Sequence, residues 1–284
     1  MSKLPHFIHN TDIGQNFLID HSVVDFIIKR AELTEADKVL EIGPGEGILT
    51  EGLLSSPCSS VCTIELDTRL KHGIDMLAIK NPKLCPLWGD AVQFDYENGL
   101  PFYPNRIIAN LPYHITTPLL WVFLEKLSAH GLNYMLLMVQ LESAERIISP
   151  EKHRERSPLG ITIEAMGSAE ILRKVPPSAF RPQPRVNSCL IEIKLSKSAS
   201  LPLDRTWRGL LARSFTQRRK TLVNNWVSGY NSVTRDVALD ILTRHELKPS
   251  ARAEELPLDV WFELAKEDVF YLKPRNKESA EVEE

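Results

Sequence analysis

The spacing of apolar residues along the first half of the chain alternates between two periods. Apolar residues recur at helical intervals in residues 20–31, and five short apolar runs typical of buried strands follow, separated by helical segments. This alternation predicts an α/β fold with a doubly wound, mostly parallel sheet. The predicted strands are 38–42, 60–67, 84–91, 106–110 and 133–140.

A glycine-rich turn, GPGEG at 43–47, follows the first predicted strand. Ligands of open α/β sheets bind at the carboxyl ends of the strands, and Gly43 and Gly45 have no side chain to keep a ligand from the backbone. Glu65 lies near the end of the second strand, where a carboxylate accepts hydrogen bonds from both hydroxyls of a ribose. Asp90 ends the third, placed to accept from an adenine amino group. The alternative is that the glycines only make a tight turn.

The fourth strand ends in the sequence NLPY, at 110–113. A base amine is a poor nucleophile because its lone pair is delocalised into the ring. The side-chain oxygen of Asn110 and the carbonyl of Leu111, which Pro112 holds in an extended backbone, can accept both amine hydrogens and orient the lone pair. The ring of Tyr113 can stack on the base. This catalytic interpretation rests on positioning and requires neither a metal nor a strong base.

The same stretch also has a purely structural interpretation, as a break between a strand and a helix. Pro112 and Pro118 then interrupt the chain, Thr116 or Thr117 caps the helix, and Pro118 takes the first helical position. The two interpretations are compatible, because the cap concerns residues that follow NLPY.

The form of the glycine turn narrows the class of cofactor. It reads E-x-G-x-G-x-G from Glu41 to Gly47, whereas the dinucleotide pattern G-x-G-x-x-G would require a small residue at Ile48. The turn resembles motif I of class I S-adenosylmethionine-dependent methyltransferases. The expected fold is therefore α/β, of the class I methyltransferase type with a Rossmann-like doubly wound sheet.

Further motifs extend the resemblance over nearly the whole chain. They are GQNFL (14–18), VLEIGPGEGILTEGLL, IELD, GDA, ANLPYHITTPLL, MVQLESAERI (138–147), VPPSAFRPQPRVNS (175–188), FTQRRKTLVNN (215–225) and RAEELPLDVWFELA (252–265). In this order they resemble the motifs of the ribosomal RNA adenine N6,N6-dimethyltransferases. The resemblance implies that S-adenosylmethionine is contacted by Asn16, Leu18, Gly43, Glu65, Asp90 and Asn110.

The resemblance also implies a substrate: two adjacent adenosines near the 3′ end of small-subunit (16S) ribosomal RNA, each methylated twice. Leu111 is typical of the small-subunit enzymes, whereas the macrolide-resistance methyltransferases of the large subunit usually carry Ile or Val there. Three alternatives remain: such a large-subunit (23S) enzyme, a nucleic-acid-binding factor without turnover on the same fold, and a methyltransferase of DNA or of small molecules. Retention of the complete set of site motifs argues against a pure binding factor.

Two stretches depart from the family pattern. The family usually has a Y-G-R-L-S-like stretch where this chain reads RERSPLGITIE (154–164), so RNA contacts of that loop are not carried over. Gln140 is not followed by the usual Lys, which leaves one expected phosphate contact without its residue.

Charge is distributed unevenly, although the net charge is only −3. Residues 1–138 carry −6, residues 139–256 carry +7 and residues 257–284 carry −4. A basic segment can meet a polyanion, and the alternative is a solvated surface. Phe180 is expected either to hold a flipped adenine or to pack under its proline-rich turn. The basic candidates for RNA contact are Arg146, Lys152, Arg154, Arg156, Arg181, Arg185, Arg213, Arg218, Arg219 and Lys220. The last three form an RRK run that is expected on an amphipathic helix.

Composition divides the chain into a first domain (1–200), a small all-α domain (201–270) and a charged tail (271–284) expected to be disordered. The resemblance implies that the first domain is catalytic and binds the cofactor, and that the second binds RNA. The longest apolar runs fall short of a membrane span, and the start lacks the apolar core of a secretion signal. Four cysteines without CxxC spacing predict neither zinc nor disulfides. We therefore expect a cytoplasmic protein without a metal or a membrane contact, and we expect it to be a monomer. The resemblance implies that its partner is an immature 30S-type ribosomal subunit.

Overall fold

The structure, a computed structural model, describes residues 16–196 and 205–271. The charged tail from residue 272 onward and the first two residues of GQNFL lie outside the described residues.

The described residues form two compact units. The first contains residues 16–148 and 166–196, and the second contains 149–165 and 205–271. Residues 149–165 fall inside the predicted catalytic domain 1–200, so the division differs from the predicted one by this segment. Composition did not predict these domain boundaries, because no linker-like stretch flanks residues 149–165.

The first unit is built on a seven-stranded sheet, counted over the described residues. Its strands are β2 (Lys38–Ile42), β3 (Ser60–Glu65), β4 (Leu84–Trp88), β5 (Arg106–Asn110), β6 (Tyr134–Gln140), β7 (Gly167–Val175) and β9 (Ser188–Leu195). The order is β4-β3-β2-β5-β6-β9-β7; the first five are parallel, and β9 runs antiparallel to both β6 and β7. The strands β1 (Phe17–Leu18) and β8 (Phe180–Arg181) form a separate antiparallel ribbon.

The α/β class and the five predicted strands of the first half are confirmed, but two strands end earlier than predicted. β3 ends at Glu65, since Asp67 caps the following 3-10 turn with a side-chain bond from the Arg69 N–H. β4 ends at Trp88, two residues before Asp90. The sequence analysis missed β7 because this edge strand has a largely polar, half-exposed pattern instead of an apolar run.

Five helices cover the sheet of the first unit within the described residues: α1 (His21–Ala31), α2 (Ile48–Ser55), α3 (Lys71–Lys80), α4 (Thr116–Lys126) and α5 (Leu141–Ile147). The apolar faces of α1 and α2 pack against fully buried strand residues such as Val39, Val61 and Ile108. Burial of these side chains, each contributing about 1.5–3 kcal/mol, holds the carboxyl ends of the strands in a fixed arrangement.

The start of α4 differs from the predicted cap. The 3-10 turn Tyr113–Ile115 leads directly into α4, so the N-cap is Ile115, and the prediction of Thr116 or Thr117 was wrong. The Thr116 hydroxyl donates instead to the carbonyl of Pro112 (3.3 Å), and Pro118 is the third helical residue. The backbone after NLPY therefore turns immediately into the helix.

The second unit is helical. Its helices are α6 (Pro158–Met166, whose last residue belongs to the first unit), α7 (Arg205–Ser214), α8 (Leu222–Gly229), α9 (Arg235–Arg244) and α10 (Leu258–Leu264). Three fully buried tryptophans, Trp207, Trp226 and Trp261, form its core. The Trp207 indole N–H donates to the Thr162 hydroxyl (3.0 Å), which ties α6 to this core. Among the described helices, none is both long and apolar enough to cross a bilayer.

Candidate active site

A cavity opens at the carboxyl ends of the parallel strands of the first unit. It lies where β2, β3 and β5 end, as the rule for ligand sites in open α/β sheets expects. Eight residues singled out from the sequence line it together: Asn16, Gly43, Glu65, Asp90, Asn110, Leu111, Pro112 and Tyr113.

The glycine turn between β2 and α2 needs left-handed backbone angles, with φ of +65° at Gly43, +58° at Gly45 and +90° at Gly47. A Cβ atom on Gly43 would meet nothing within 4 Å, so the backbone there borders open space in the cavity. A Cβ atom on Gly45 would lie 2.6 Å from the ring of Phe17. Gly45 thus allows Phe17 to pack on the turn, and it stands outside the residues that line the cavity.

Glu65 is held at the end of β3 by two backbone donors. Its Oε1 accepts the N–H of Asp67 (2.9 Å) and its Oε2 accepts the N–H of Gly45 (3.2 Å). Burial raises the pKa of Glu65, and these two N–H groups partly oppose the rise. A carboxylate offers about four acceptor positions, so each oxygen retains one for a ligand hydroxyl.

Asp90 is also fixed by bonds to both oxygens. Its Oδ1 accepts the N–H of Val92 (2.8 Å), and its Oδ2 accepts the side-chain amide of Gln93 (3.0 Å). Sequence reasoning missed Gln93, because one polar residue in a loop carries no pattern of its own. Its position three residues after Asp90 was the only available signal.

The amide of Asn110 has a defined orientation. Its nitrogen donates to the backbone carbonyl of Asn16 (2.9 Å). Because a carbonyl can only accept, the amide nitrogen must face Asn16, and the side-chain oxygen is directed elsewhere in the cavity wall. The next residue is also constrained, since the Leu111 N–H donates to the carbonyl of Met138 (3.0 Å) on β6.

Tyr113 is anchored at the far end of its ring. Its hydroxyl lies 2.6 Å from the hydroxyl of Ser188, the first residue of β9. Burial raises the pKa of Tyr113, so the phenol is neutral at physiological pH. Ser188 lies in the motif VPPSAFRPQPRVNS, but its pairing with Tyr113, 75 residues earlier, could not be predicted from the sequence.

A smaller cavity adjoins the first and is lined by Leu18, Glu41, Gly43 and Asn110 among others. Burial raises the pKa of Glu41 to about 8, against the effect of a 2.7 Å hydrogen bond from the Thr50 hydroxyl. The negative charge of Glu65 raises it further. Glu41 is therefore largely protonated at neutral pH.

Phe180 occupies a different place from the one its substrate role requires. Its side chain is only 1% exposed and packs in the core of the first unit, next to Leu18, its partner in the β1–β8 ribbon. Of the two sequence interpretations, packing under the turn describes this arrangement. Contact with a base would require the ring to leave the core.

The predicted RNA-contacting residues fall in both units. Arg146 lies on α5 of the first unit, where it pairs with Glu142 one helical turn earlier. Arg218, Arg219 and Lys220 are exposed in the second unit, on a turn between α7 and α8; the expectation of a helix there was wrong.

The Arg218 guanidinium also donates to the carbonyl of Arg154 (2.6 Å), and two other basic candidates are engaged within the second unit. Arg156 is only 1% exposed and pairs with Glu164 (3.0 Å), so its guanidinium is not available on the surface. The Arg213 guanidinium lies over the ring of Tyr230, 4.7 Å from the centroid. Among the residues that the structure covers, no three His, Cys, Asp or Glu side chains form a cluster able to hold a metal ion.

Comparisons with known proteins place this geometry in a family. The model of the family described as "Ribosomal RNA adenine dimethylase" matches residues 6–267. The ribosomal RNA small subunit methyltransferase A of Alkaliphilus oremlandii is 30% identical over 265 residues, covering 91% of each chain. The protein of the same name from Clostridium botulinum is 34% identical over 264 residues, covering 91% of this chain and 94% of that one.

Two solved structures resemble the fold. A dimethyladenosine transferase from Plasmodium falciparum has a TM-score of 0.73 and 26% identity, over 87% of this chain and 95% of that one. The 23S rRNA methyltransferase ErmE has a TM-score of 0.63 over 88% of this chain and 98% of that one; at 23% identity, it supports the fold alone.

Proposed function

The chain belongs to the ribosomal RNA adenine dimethylase family, and from this premise we propose that it transfers methyl groups from S-adenosylmethionine to small-subunit ribosomal RNA. The acceptors are the N6 atoms of two adjacent adenosines near the 3′ end of that RNA, and each adenosine receives two methyl groups. The observation that carries the proposal is the orientation of the Asn110 amide, whose nitrogen is engaged by Asn16 and whose oxygen is left to accept from an amine in the cavity.

The cavity residues fit a nucleoside-bearing cofactor. Glu65 has acceptor positions for two ribose hydroxyls, and Asp90 stands at the next strand end, able to accept from an adenine amino group. Gly43 leaves open space beside the cavity, and Leu18 and Asn110 adjoin it through the smaller cavity. The bound S-adenosylmethionine supplies an electrophilic methyl group on a sulfonium.

The chain's own residues act on the nucleophile. The oxygen of Asn110 and the carbonyl of Leu111 accept the two hydrogens of the adenine amine, which favours the pyramidal nitrogen with a directed lone pair. Pro112, with φ −56° and ψ 129°, keeps the backbone extended between them and the ring of Tyr113, which stacks on the base. Catalysis then comes from positioning, worth several orders of magnitude in effective concentration.

The RNA is held by phosphate contacts from exposed basic residues, for which Arg146, Arg218, Arg219 and Lys220 are the candidates. Such contacts weaken steeply with added salt. Phe180 remains a candidate only if RNA binding draws its ring out of the core.

We further propose that the protein acts as a cytoplasmic monomer on an immature 30S-type subunit. The catalytic domain then consists of residues 1–200 without the segment 149–165, and the helical unit is the RNA-binding domain.

The test is incubation of the full chain with immature small ribosomal subunits that lack the modification, together with methyl-labelled cofactor, and with large subunits in a parallel reaction. We expect label in the small-subunit RNA. Label confined to large-subunit RNA contradicts the substrate assignment. A protein that binds the cofactor but labels neither RNA contradicts the enzymatic function and supports a binding factor.

A further inference from the structure

The Tyr113–Ser188 hydroxyl pair joins two segments that the chain separates by 75 residues. Tyr113 lies in the cavity wall beside Asn110, and Ser188 lies in the interior of the sheet. Nothing in the methyl-transfer chemistry described above uses Ser188. Its hydroxyl therefore requires an explanation of its own.

Ser188 is buried and held by strands on both sides. It is 0% exposed, and β9 is flanked on both sides, so that Ser188 is paired with Gln140 of β6 and with Val175 of β7. A hydroxyl on such a backbone is a fixed point. The 2.6 Å distance to the Tyr113 hydroxyl transfers that fixed position to the far end of the aromatic ring.

The near end of the ring is fixed by the backbone. The Leu111 N–H bonds to Met138 on β6, and the Ile115 N–H bonds to the carbonyl of Pro112 (3.2 Å), which closes the turn that carries Tyr113. With its hydroxyl also held, the ring has little freedom to rotate about its side-chain bonds. An aromatic surface held at both ends presents a base at one angle and depth relative to the oxygen of Asn110.

We infer that Ser188 is a positioning residue for methyl transfer, acting through the Tyr113 ring to set where the stacked adenine presents its amine. The inference rests on the proposed function. It does not make Ser188 a catalytic residue, because Ser188 is buried at the hydroxyl end of the ring, whereas Tyr113 lines the cavity.

The position of the base matters most for the second methyl group. An N6-methyladenine has one amine hydrogen left, so only one of the acceptors at Asn110 and Leu111 can hold it. Stacking on the Tyr113 ring then carries more of the orientation. Loss of the hydroxyl pair is therefore expected to reduce dimethylated product more than monomethylated product.

The experiment is a double-mutant cycle with Ser188→Ala and Tyr113→Phe, assayed on small-subunit RNA with the wild-type protein in parallel. Each single change should lower kcat about tenfold, the effect of losing one hydrogen bond from the positioned state, and should raise the ratio of mono- to dimethyladenosine. The KM for S-adenosylmethionine should stay within about twofold of the wild type, since the ring contacts the base. In the Tyr113→Phe background, Ser188→Ala should have no further effect.

The matched control is Thr63→Val, which removes another fully buried hydroxyl on a strand. The Thr63 hydroxyl has no hydrogen-bond partner among the described residues, so its loss breaks no such bond. Thr63→Val should leave kcat and the product ratio unchanged. Wild-type kcat in Ser188→Ala, or an equal loss in the Tyr113→Phe background, overturns the inference. If Ser188→Ala does not fold, Tyr113→Phe removes the same hydrogen bond at the half-buried residue. Wild-type kcat and a wild-type product ratio in Tyr113→Phe would then overturn the inference. Wild-type protein that methylates none of this RNA contradicts the proposed function itself.

Discussion

Glu192 and Glu41 are both shielded from solvent in the first unit, 3% and 1% exposed, although Glu41 lies deeper, and their pKa values are shifted in opposite directions. Glu192 lies toward the edge formed by the first residues of β5 and β6, which we call the amino edge. Burial acts to raise its pKa, but hydrogen bonds from Lys194, Arg30 and Tyr134 overcome that effect and lower it to about 2.

Glu41 and Glu65 lie at the opposite edge, where the candidate active site is. Their hydrogen-bond donors are neutral: the Thr50 hydroxyl for Glu41, and the N–H groups of Gly45 and Asp67 for Glu65. Neutral donors do not repay the cost of burying a carboxylate, so both pKa values rise.

The difference indicates a division of tasks within one sheet. At the amino edge, carboxylates are matched with cations, as Asp37 is with Arg106 (2.8 Å), and the pairs support folding. At the carboxyl edge, Glu65 and Asp90 are oriented by neutral donors and keep lone pairs for a ligand. The ion pairs of Glu192 and Asp37 thus support folding at the amino edge, and Glu65 and Asp90 are the candidates for binding at the carboxyl edge.

The largest effect is expected from Glu65→Gln, which keeps the size of the side chain and removes its charge. Loss of charge-assisted bonds to two ribose hydroxyls should weaken cofactor binding by about 100-fold, roughly 3 kcal/mol, while the melting temperature stays unchanged or rises. Calorimetric titration with S-adenosylmethionine measures the affinity. Wild-type affinity in this variant contradicts the assignment of Glu65.

Glu192→Gln is the matched change at the amino edge. It should lower the free energy of unfolding by about 2–3 kcal/mol, which corresponds to a melting temperature about 5–10 °C lower. Cofactor affinity below that temperature should equal the wild type. Because the folded-state pKa is lowered, the stabilisation by Glu192 is present above pH 4.5 and is lost as pH falls toward 2, so the two proteins should converge in acid. Unchanged melting at pH 7 contradicts the division of tasks.

Glu41→Gln should give a smaller effect of opposite sign. Since the pKa of Glu41 rises from 4.5 to about 8 on folding, raising the pH through this window ionises the unfolded chain first and lowers stability. The variant lacks this loss, so between pH 5 and pH 6.5 it should gain about 1–2 kcal/mol relative to the wild type in denaturant titrations. Parallel pH profiles of the two proteins would show that Glu41 ionises normally.

Local patterns were sufficient to predict much of this architecture. The apolar runs identified β2 to β6, and the residues at their ends, such as Glu65 and Asn110, meet in one cavity because parallel strands end at the same edge. The catalytic interpretation of NLPY came from residue types alone, and it stays a prediction. The family of the chain and its RNA substrate could be predicted only with the additional motifs.

Contacts between distant segments could not be predicted in the same way. Asn16 meets Asn110 across 94 residues and Ser188 meets Tyr113 across 75, and periodicity contains no information on such pairings. The turn that carries Arg218 was mistaken for a helix because its polar residues fit either structure. The grouping of Thr162 with Trp207 likewise depends on packing in the folded state.

The most direct test of the account is to identify by mass spectrometry the methylated nucleosides that the wild type and Asn110→Ala form in small-subunit RNA. The control variant is Asn98→Ala, which removes an exposed amide that donates to Asp95. We predict N6,N6-dimethyladenosine from the wild type and the control, and a loss of at least about 100-fold with Asn110→Ala at unchanged melting temperature. A methyl group on another atom, or an undiminished yield from Asn110→Ala, would contradict the account.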